Sequence, residues 1–172
     1  MSRTEVRLTG FGGQGIILAA YILGKAAALY DKKHATFTQS YGPEARGGSC
    51  SAQVIISDGF IHFPYVRRPD ILVCMSQTGY DKYANMICDT TMLITDLDLV
   101  KPTGFDRDYF SIPATRLAEE MGRKMIANIV MLGFFSSVTQ AVSRRAVEEA
   151  VKASVPKGTE EMNLNAFKKG WD

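Results

Sequence analysis

The sequence predicts an α/β fold in which a mostly parallel sheet lies between helices, with one antiparallel hairpin added to it. Three observations lead there. A glycine-rich turn, Gly10-Phe11-Gly12-Gly13-Gln14-Gly15, joins an alternating strand to an Ala/Leu-rich helix. The run Asp70-Ile71-Leu72-Val73-Cys74-Met75 is almost continuously apolar, as parallel strands buried on both faces are. Asp58-Gly59 separates two apolar runs, which is a hairpin signal. A length of 172 residues suits a single domain, 1–172, with a sizeable core.

The first strand is read at Glu5-Val6-Arg7-Leu8-Thr9 and the first helix from Ile16 to Leu29. Between them Gly10, Gly12 and Gly15 fit G-x-G-x-x-G in its strand–turn–helix setting. Such a turn needs positive φ and lets backbone N–H groups approach a bound group. The N–H groups stand at a helix start, where unpaired donors and the helix dipole favour an anion. The expectation is therefore an anion site, most often a phosphate, over Gly12, Gly13, Gln14 and Gly15. The alternative is that the glycines only close the turn.

His34-Ala35-Thr36-Phe37-Thr38 reads as the second strand, parallel and adjacent to the first through a right-handed crossover. A nicotinamide-dinucleotide site wants an acidic residue at the end of that strand, yet it ends Thr38-Gln39-Ser40. Asp31 precedes the strand, at the wrong end of the sheet. The aperiodic stretch Gln39 to Ser49 holds Tyr41, Pro43, Glu44, Arg46 and Gly47. Sheet polarity brings it to the same rim as the first turn, the usual ligand-binding edge. Arg46 suits a bidentate phosphate or carboxylate contact; an ion pair with Glu44 or a helix cap is the alternative.

Ser49 to Ser57 and Phe60 to Phe63 are the two arms expected of the hairpin. Strands follow at Asp70 to Met75, Thr90 to Asp96 and Asp108 to Ile112, and a short helix at Tyr80 to Ile87. Asp96-Leu97-Asp98 reads as a strand-end turn rather than a metal pair, since further carboxylates are lacking nearby. Helices are expected at Ala114 to Met121, Met125 to Val138, Ser143 to Val151 and Thr159 to Trp171. The Met125 helix is apolar all round and so buried; its Asn128 is the odd polar residue, expected to bond backbone near the ligand edge. Gly133 inside that helix implies close packing. Phe167 and Trp171 share one face of the last helix and suit docking on the domain.

Twenty basic against 18 acidic residues give +2, with no basic stripe to bind nucleic acid. No run of apolar residues reaches membrane-spanning length, and no signal-peptide core precedes the first strand, so a cytoplasmic location is expected. Cys50, Cys74 and Cys88 stand apart, without C-x-x-C spacing, which argues against a zinc site or an iron–sulfur cluster held by this chain alone. His34 and His62 read as strand-packing histidines. Neither a catalytic nucleophile–base pair nor a metal-ligand set is recognised.

Three stretches taken together resemble one family. They are Gly10 to Gly15, Gln39 to Gly48 with its Tyr41-Gly42-Pro43-Glu44-Ala45-Arg46-Gly47-Gly48 core, and Arg123 to Gly133 with Asn128. The chain resembles the gamma subunit of 2-oxoacid:ferredoxin oxidoreductases over nearly its full length, to the closing Asn163-Leu164-Asn165-Ala166-Phe167-Lys168-Lys169-Gly170. The resemblance implies a Rossmann-like, three-layer domain inside an enzyme that decarboxylates a 2-oxoacid oxidatively, forms an acyl-CoA and reduces ferredoxin. It implies thiamine diphosphate with Mg between alpha and beta subunits, and iron–sulfur clusters on beta or on a delta subunit. It leaves this chain with no cofactor bound alone and with coenzyme A contacted in the complex.

On that resemblance Gly12, Gly13, Gln14 and Gly15 offer backbone donors to phosphate or to the facing subunit. Arg46 meets phosphate or an acidic partner residue. Tyr41 and Pro43 shape the loop against the neighbour, and Tyr41 and Gly47 are counted with Gly12 to Gly15 and Arg46 as cofactor-binding residues. The resemblance favours 2-oxoglutarate as the oxoacid, with pyruvate and branched-chain 2-oxoacids open. The competing expectation is a stand-alone nucleotide-binding module or an NAD-dependent oxidoreductase that works without partners.

Overall fold

The structure, a computed structural model, describes residues 2–41 and 48–172. Its strands are β1 (Arg3–Phe11), β2 (His34–Tyr41), β3 (Ser49–Ser57), β4 (Ile71–Cys74), β5 (Met92–Asp96) and β6 (Phe110–Ile112). The sheet order is β2-β3-β1-β4-β5-β6. Pairs β1–β4, β4–β5 and β5–β6 are parallel, whereas β3 runs antiparallel to both β1 and β2. This is the mostly parallel α/β sheet with an antiparallel addition that the sequence predicts.

Two details of the prediction are corrected. First, β1 and β2 run in the same direction but are not neighbours, because β3 lies between them. The register sets Phe11 against Ser49 and Tyr41 against Cys50, so the ends of β1 and β2 still reach one rim. Second, the hairpin is not at Asp58-Gly59. Phe60 to Phe63 form no strand, and β3 returns along β2 instead. The Asp58 amide bonds the Ser2 carbonyl at 3.0 Å, and the Gly59 amide bonds Ser57 Oγ at 3.1 Å. These bonds turn the chain out of the sheet at the foot of β1. The histidines follow this path: His34 is exposed on β2 and His62 is off any strand, each edge-on to Phe60.

The helices are α1 (Ile16–Lys25), extended by a wider π turn (Ala26–Tyr30), α2 (Gln77–Tyr83), α3 (Ala114–Glu120), α4 (Ala127–Thr139), α5 (Arg144–Ser154) and α6 (Glu160–Trp171). Helix α2 starts earlier than Tyr80 because the Ser76 hydroxyl caps it, accepting from the Gly79 amide at 3.0 Å. Ser143 caps α5 in the same way and donates to Asp31 Oδ1 at 2.6 Å, pinning α5 to the end of the π turn. Asp31 is thereby used far from the rim.

Strand alternation divides the core in two. Val6, Leu8, Val54, Ile71 and Val73 pack in the large cluster with residues of α1, α3, α4, α5 and α6. Leu72, Cys74 and Leu93 face the other way, into a small cluster with Tyr80 and Tyr83 of α2. The sheet therefore has a thick helical layer on one side and a thin layer on the other. In the thick layer α4 and α6 cross at glycines. A Cβ on Gly133 would overlap the Phe167 carbonyl, and one on Gly170 would overlap the Val130 carbonyl. Phe167 is fully buried there, and Trp171 carries the Arg144 guanidinium 5.0 Å above its ring.

Candidate functional site

The site is assembled where β1 ends. After Phe11 the chain turns through Gly12 to Gly15 into α1. Gly13 and Gly15 have φ of 91° and 75°, a left-handed backbone that side chains disfavour. The Gly12 amide donates to the Gly48 carbonyl at 3.1 Å, so the first turn is bonded to the residue that leads into β3. The Gln14 amide donates to the Phe11 carbonyl at 3.2 Å. Among the described residues, Gly13, Gly15 and the first amides of α1 are left as the donors of this helix start.

Gln14 is an internal brace. Its Oε1 accepts from the Phe11 amide at 2.6 Å, and its Nε2 donates to the Met75 carbonyl at 2.9 Å. The turn is thereby tied to the chain just beyond β4, at the same rim. Asn128 holds the other side. Its Nδ2 donates to the Gly15 carbonyl at 3.1 Å, and it is 3% exposed. The sequence predicts that Asn128 bonds backbone, and it does so at this rim.

Beside the turn runs an open groove of about 600 Å³. Gly12, Gly13, Ile17, Leu18, Tyr21 and Phe37 line it. Tyr21 and Phe37 meet edge to face at 6.0 Å, and Lys25 Nζ stands 5.8 Å over the Tyr21 ring. No charged side chain lines the groove among the described residues. The arrangement offers backbone donors at one end and an apolar trough along α1. Sequence reasoning missed the trough. The available signal was Ile17 and Tyr21, one turn apart on α1 with room for only one of its faces in the core.

Tyr41 closes β2 on this rim, across from Cys50. Arg46 and Gly47 lie outside the described residues, as do Pro43 and Glu44. The turn at Asp96 is structural. Its Oδ2 accepts from the Thr115 amide at 2.9 Å and the Thr115 hydroxyl at 2.8 Å, and its Oδ1 accepts from the Asp98 amide at 3.0 Å. No group of three or more metal-type ligands occurs among the described residues. No helix among them is long and apolar enough to cross a membrane.

The three thiols differ. Burial pushes Cys50 and Cys74 above the ordinary thiol value. Hydrogen bonds from Thr90 and then Thr91 pull Cys88 down to about 7.

Comparison with known proteins decides the family. Residues 5–172 match the family described as POR, pyruvate ferredoxin/flavodoxin oxidoreductase. The chain belongs to this family. A relative 55% identical, covering 99% of this chain and 93% of that protein, is the 2-oxoglutarate synthase subunit KorC of Methanocaldococcus jannaschii. Among solved structures, the gamma subunit of the keto/oxoacid ferredoxin oxidoreductase of Geobacter sulfurreducens is 40% identical, with a TM-score of 0.87 over 98% of this chain and 96% of that one. The 2-oxoglutarate:ferredoxin oxidoreductase of Magnetococcus marinus, solved with 2-oxoglutarate, coenzyme A and succinyl-CoA bound, shares the fold at 23% identity and a TM-score of 0.84. That match covers 99% of this chain but 30% of the other. The chain is thus a gamma-type subunit of a 2-oxoacid:ferredoxin oxidoreductase, an assembly with further subunits.

The strand order of this POR-family chain also differs from that of a dinucleotide-binding fold. In such enzymes a parallel strand beside β1 presents an acidic group to the ribose. Here that neighbour is β3, which runs antiparallel and begins at the rim with Ser49.

Proposed function

We propose that this chain is the gamma subunit of a 2-oxoglutarate:ferredoxin oxidoreductase and that its rim places coenzyme A for acyl transfer. The observation that carries the placement is the junction of the Gly13–Gly15 helix start with the apolar trough along Ile17 and Tyr21. Coenzyme A is itself divided, with phosphates at one end and a long, largely uncharged arm at the other. Backbone donors at the helix start suit the phosphates, and the trough suits an uncharged portion of the molecule. Similarity to KorC over 99% of the chain supports 2-oxoglutarate as the oxoacid.

In this reading the chain performs no bond-making step. Thiamine diphosphate, its Mg and the iron–sulfur clusters reside on alpha, beta or delta subunits and supply decarboxylation and electron transfer to ferredoxin. The gamma chain fixes the orientation of the CoA thiol relative to the reacting centre, which lowers the entropic part of the barrier. Gly13 and Gly15 hold the donors, Gln14 and Asn128 keep the turn in place, and Tyr21 and Phe37 shape the trough. Tyr41 ends β2 at this rim, and Arg46 and Gly47, whose place the structure does not describe, are assigned to the same CoA site from the sequence, Arg46 to meet phosphate or an acidic neighbour.

The test uses the reconstituted complex with 2-oxoglutarate, pyruvate or a branched-chain 2-oxoacid, CoA and a viologen acceptor. Activity should be greatest with 2-oxoglutarate. Tyr21→Ser, Ile17→Ser and Arg46→Ala should each raise the KM for CoA about tenfold, or roughly 1.4 kcal/mol, and leave the KM for 2-oxoglutarate unchanged. Normal assembly with an unaltered KM for CoA in all three variants rejects the placement.

A further inference from the structure

The thin side of the sheet carries a segment that the CoA reading does not use. After β3 the chain does not enter a helix but crosses the sheet as an irregular strap from Asp58 to Pro69. Two side chains beneath it fasten its far end. The Arg7 guanidinium, on β1, donates to the Val66 carbonyl at 3.2 Å, and Gln53 Oε1, on β3, accepts from the Val66 amide at 2.5 Å. Val66 is the inward anchor at 3% exposure. Its neighbours point outward: Phe60 is 71% exposed, Tyr65 55% and Phe63 44%. These rings are held rather than loose. Phe63 and Tyr65 pack edge to face at 5.6 Å, and the Arg67 guanidinium lies 4.8 Å over Phe63.

Aromatic and arginine side chains fixed on an exposed surface are the residue types that anchor protein interfaces. Exposed singly, such residues need no explanation; grouped within six positions of one segment, they form a patch. The patch is basic. Arg67 and Arg68 are exposed, and no carboxylate lies between Gly59 and Pro69. The flanking Asp58 and Asp70 are turned to the foot of β1, accepting from the Ser2 amide at 3.2 Å and the Glu5 amide at 2.7 Å.

We propose that Phe60–Arg68 is the surface by which this chain docks onto a larger subunit of its oxidoreductase, one that presents an apolar patch edged by carboxylates. The charge selects this occupant over a second copy of the chain. A twofold contact sets the same patch against itself, which would gather four arginines in one interface with no carboxylate from this segment to meet them. A different subunit with acidic edges meets no such repulsion. The same fold also occurs as 30% of a longer oxidoreductase chain, so there it adjoins further protein. Arg7 and Gln53 then act as positioning residues, which set the strap before docking and limit the entropy lost on association. The inference rests on membership of a multi-subunit enzyme and not on the CoA site.

The experiment titrates purified partner subunits with the full gamma chain by calorimetry, at two salt concentrations. Arg67→Glu with Arg68→Glu, and separately Phe60→Ser with Tyr65→Ser, should weaken association about tenfold or more. The charge reversal should also flatten the salt dependence. Lys152→Glu, at an exposed position of α5, should bind as the parent chain does. Circular dichroism and the melting temperature of each isolated variant establish that it is folded. At saturating gamma chain the KM for CoA should remain that of the parent, which separates this surface from the CoA rim. Unaltered affinity in both folded double variants overturns the proposal. So does self-association of the isolated chain that Phe60→Ser with Tyr65→Ser abolishes, since the patch would then belong to a second copy.

Discussion

Asn128 and Gly15 are locked together: the amide of one donates to the carbonyl of the other at 3.1 Å, in a space that a Cβ on Gly15 would fill. The contact joins α4, from the buried helical layer, to the turn that begins α1. Asn128→Ala removes a buried donor and should cost about 1–2 kcal/mol. Gly15→Ala should cost about 1–3 kcal/mol, because it adds an overlap to a φ that alanine disfavours. Both should lower the melting temperature and raise the KM for CoA in the assembled enzyme. A stability loss without any change in that KM would show that the turn is fixed for folding alone.

The crossing of α4 and α6 leaves no room for a methyl group. At Gly133 and at Gly170 the obstructing atoms are backbone carbonyls of the facing helix, which cannot rotate aside. Gly133→Ala or Gly170→Ala should each destabilise the chain by about 3 kcal/mol or more, at the upper end for overpacking. Helix propensity alone points the other way, favouring alanine by about 1 kcal/mol. Urea denaturation measures which effect wins.

Arg7 is 5% exposed, and its polar contacts are the Ser51 hydroxyl at 3.2 Å, the Val66 carbonyl at 3.2 Å and the Tyr83 ring, 4.4 Å away. No carboxylate pairs with it among the described residues. Burial holds its pKa below the usual arginine value, yet a guanidinium keeps its proton. Arg7→Lys should be less stable than the parent and should speed amide exchange at Val66, since a single ammonium cannot replace the fork. A buried lysine binds its proton less tightly folded than unfolded. The stability of this variant should therefore rise as pH climbs toward about 10.4 and fall as the solution is acidified through the depressed folded value. Denaturation midpoints at pH 7 and pH 9.5 give the sign.

Cys88 should be the reactive thiol. Its sulfur lies 3.3 Å from both the Thr90 and Thr91 hydroxyls, and its pKa falls to about 7. The Thr91 hydroxyl already donates to the Pro69 carbonyl at 2.8 Å, so Thr90 supplies the bond to the thiolate. Iodoacetamide labelling followed by mass spectrometry should reach half its maximal rate near pH 7 at Cys88. Labelling of fully buried Cys74 should be slow throughout. Thr90→Val should move the Cys88 midpoint upward more than Thr91→Val does.

The sequence carried the glycine turn, the helix after it and the role of Asn128, because each has a local signature. Gly133 was legible for the same reason: glycine in an apolar helix must answer to something packed on it. The insertion of β3 between β1 and β2 was not legible. Alternation in Ser49 to Ser57 marks a strand, but it is silent on which neighbours that strand takes. The Asp58-Gly59 turn misled because its local chemistry fits a hairpin while the bonds to Ser2 and Ser57 draw it out of the sheet. The trough along α1 escaped because an apolar helix does not declare which of its residues the core leaves uncovered. Arg46 and Gly47, which the sequence assigns to the same site, lie outside the described residues.

Strand β1 sits between β3 and β4, so its two partners are supplied by segments that come much later in the chain. During synthesis β1 leaves the ribosome ahead of both partners and must wait for Ser57 before one edge is covered and for Cys74 before the other is. Its partly apolar surface, Val6 and Leu8 included, stays available to chaperones or to wrong partners for that whole interval.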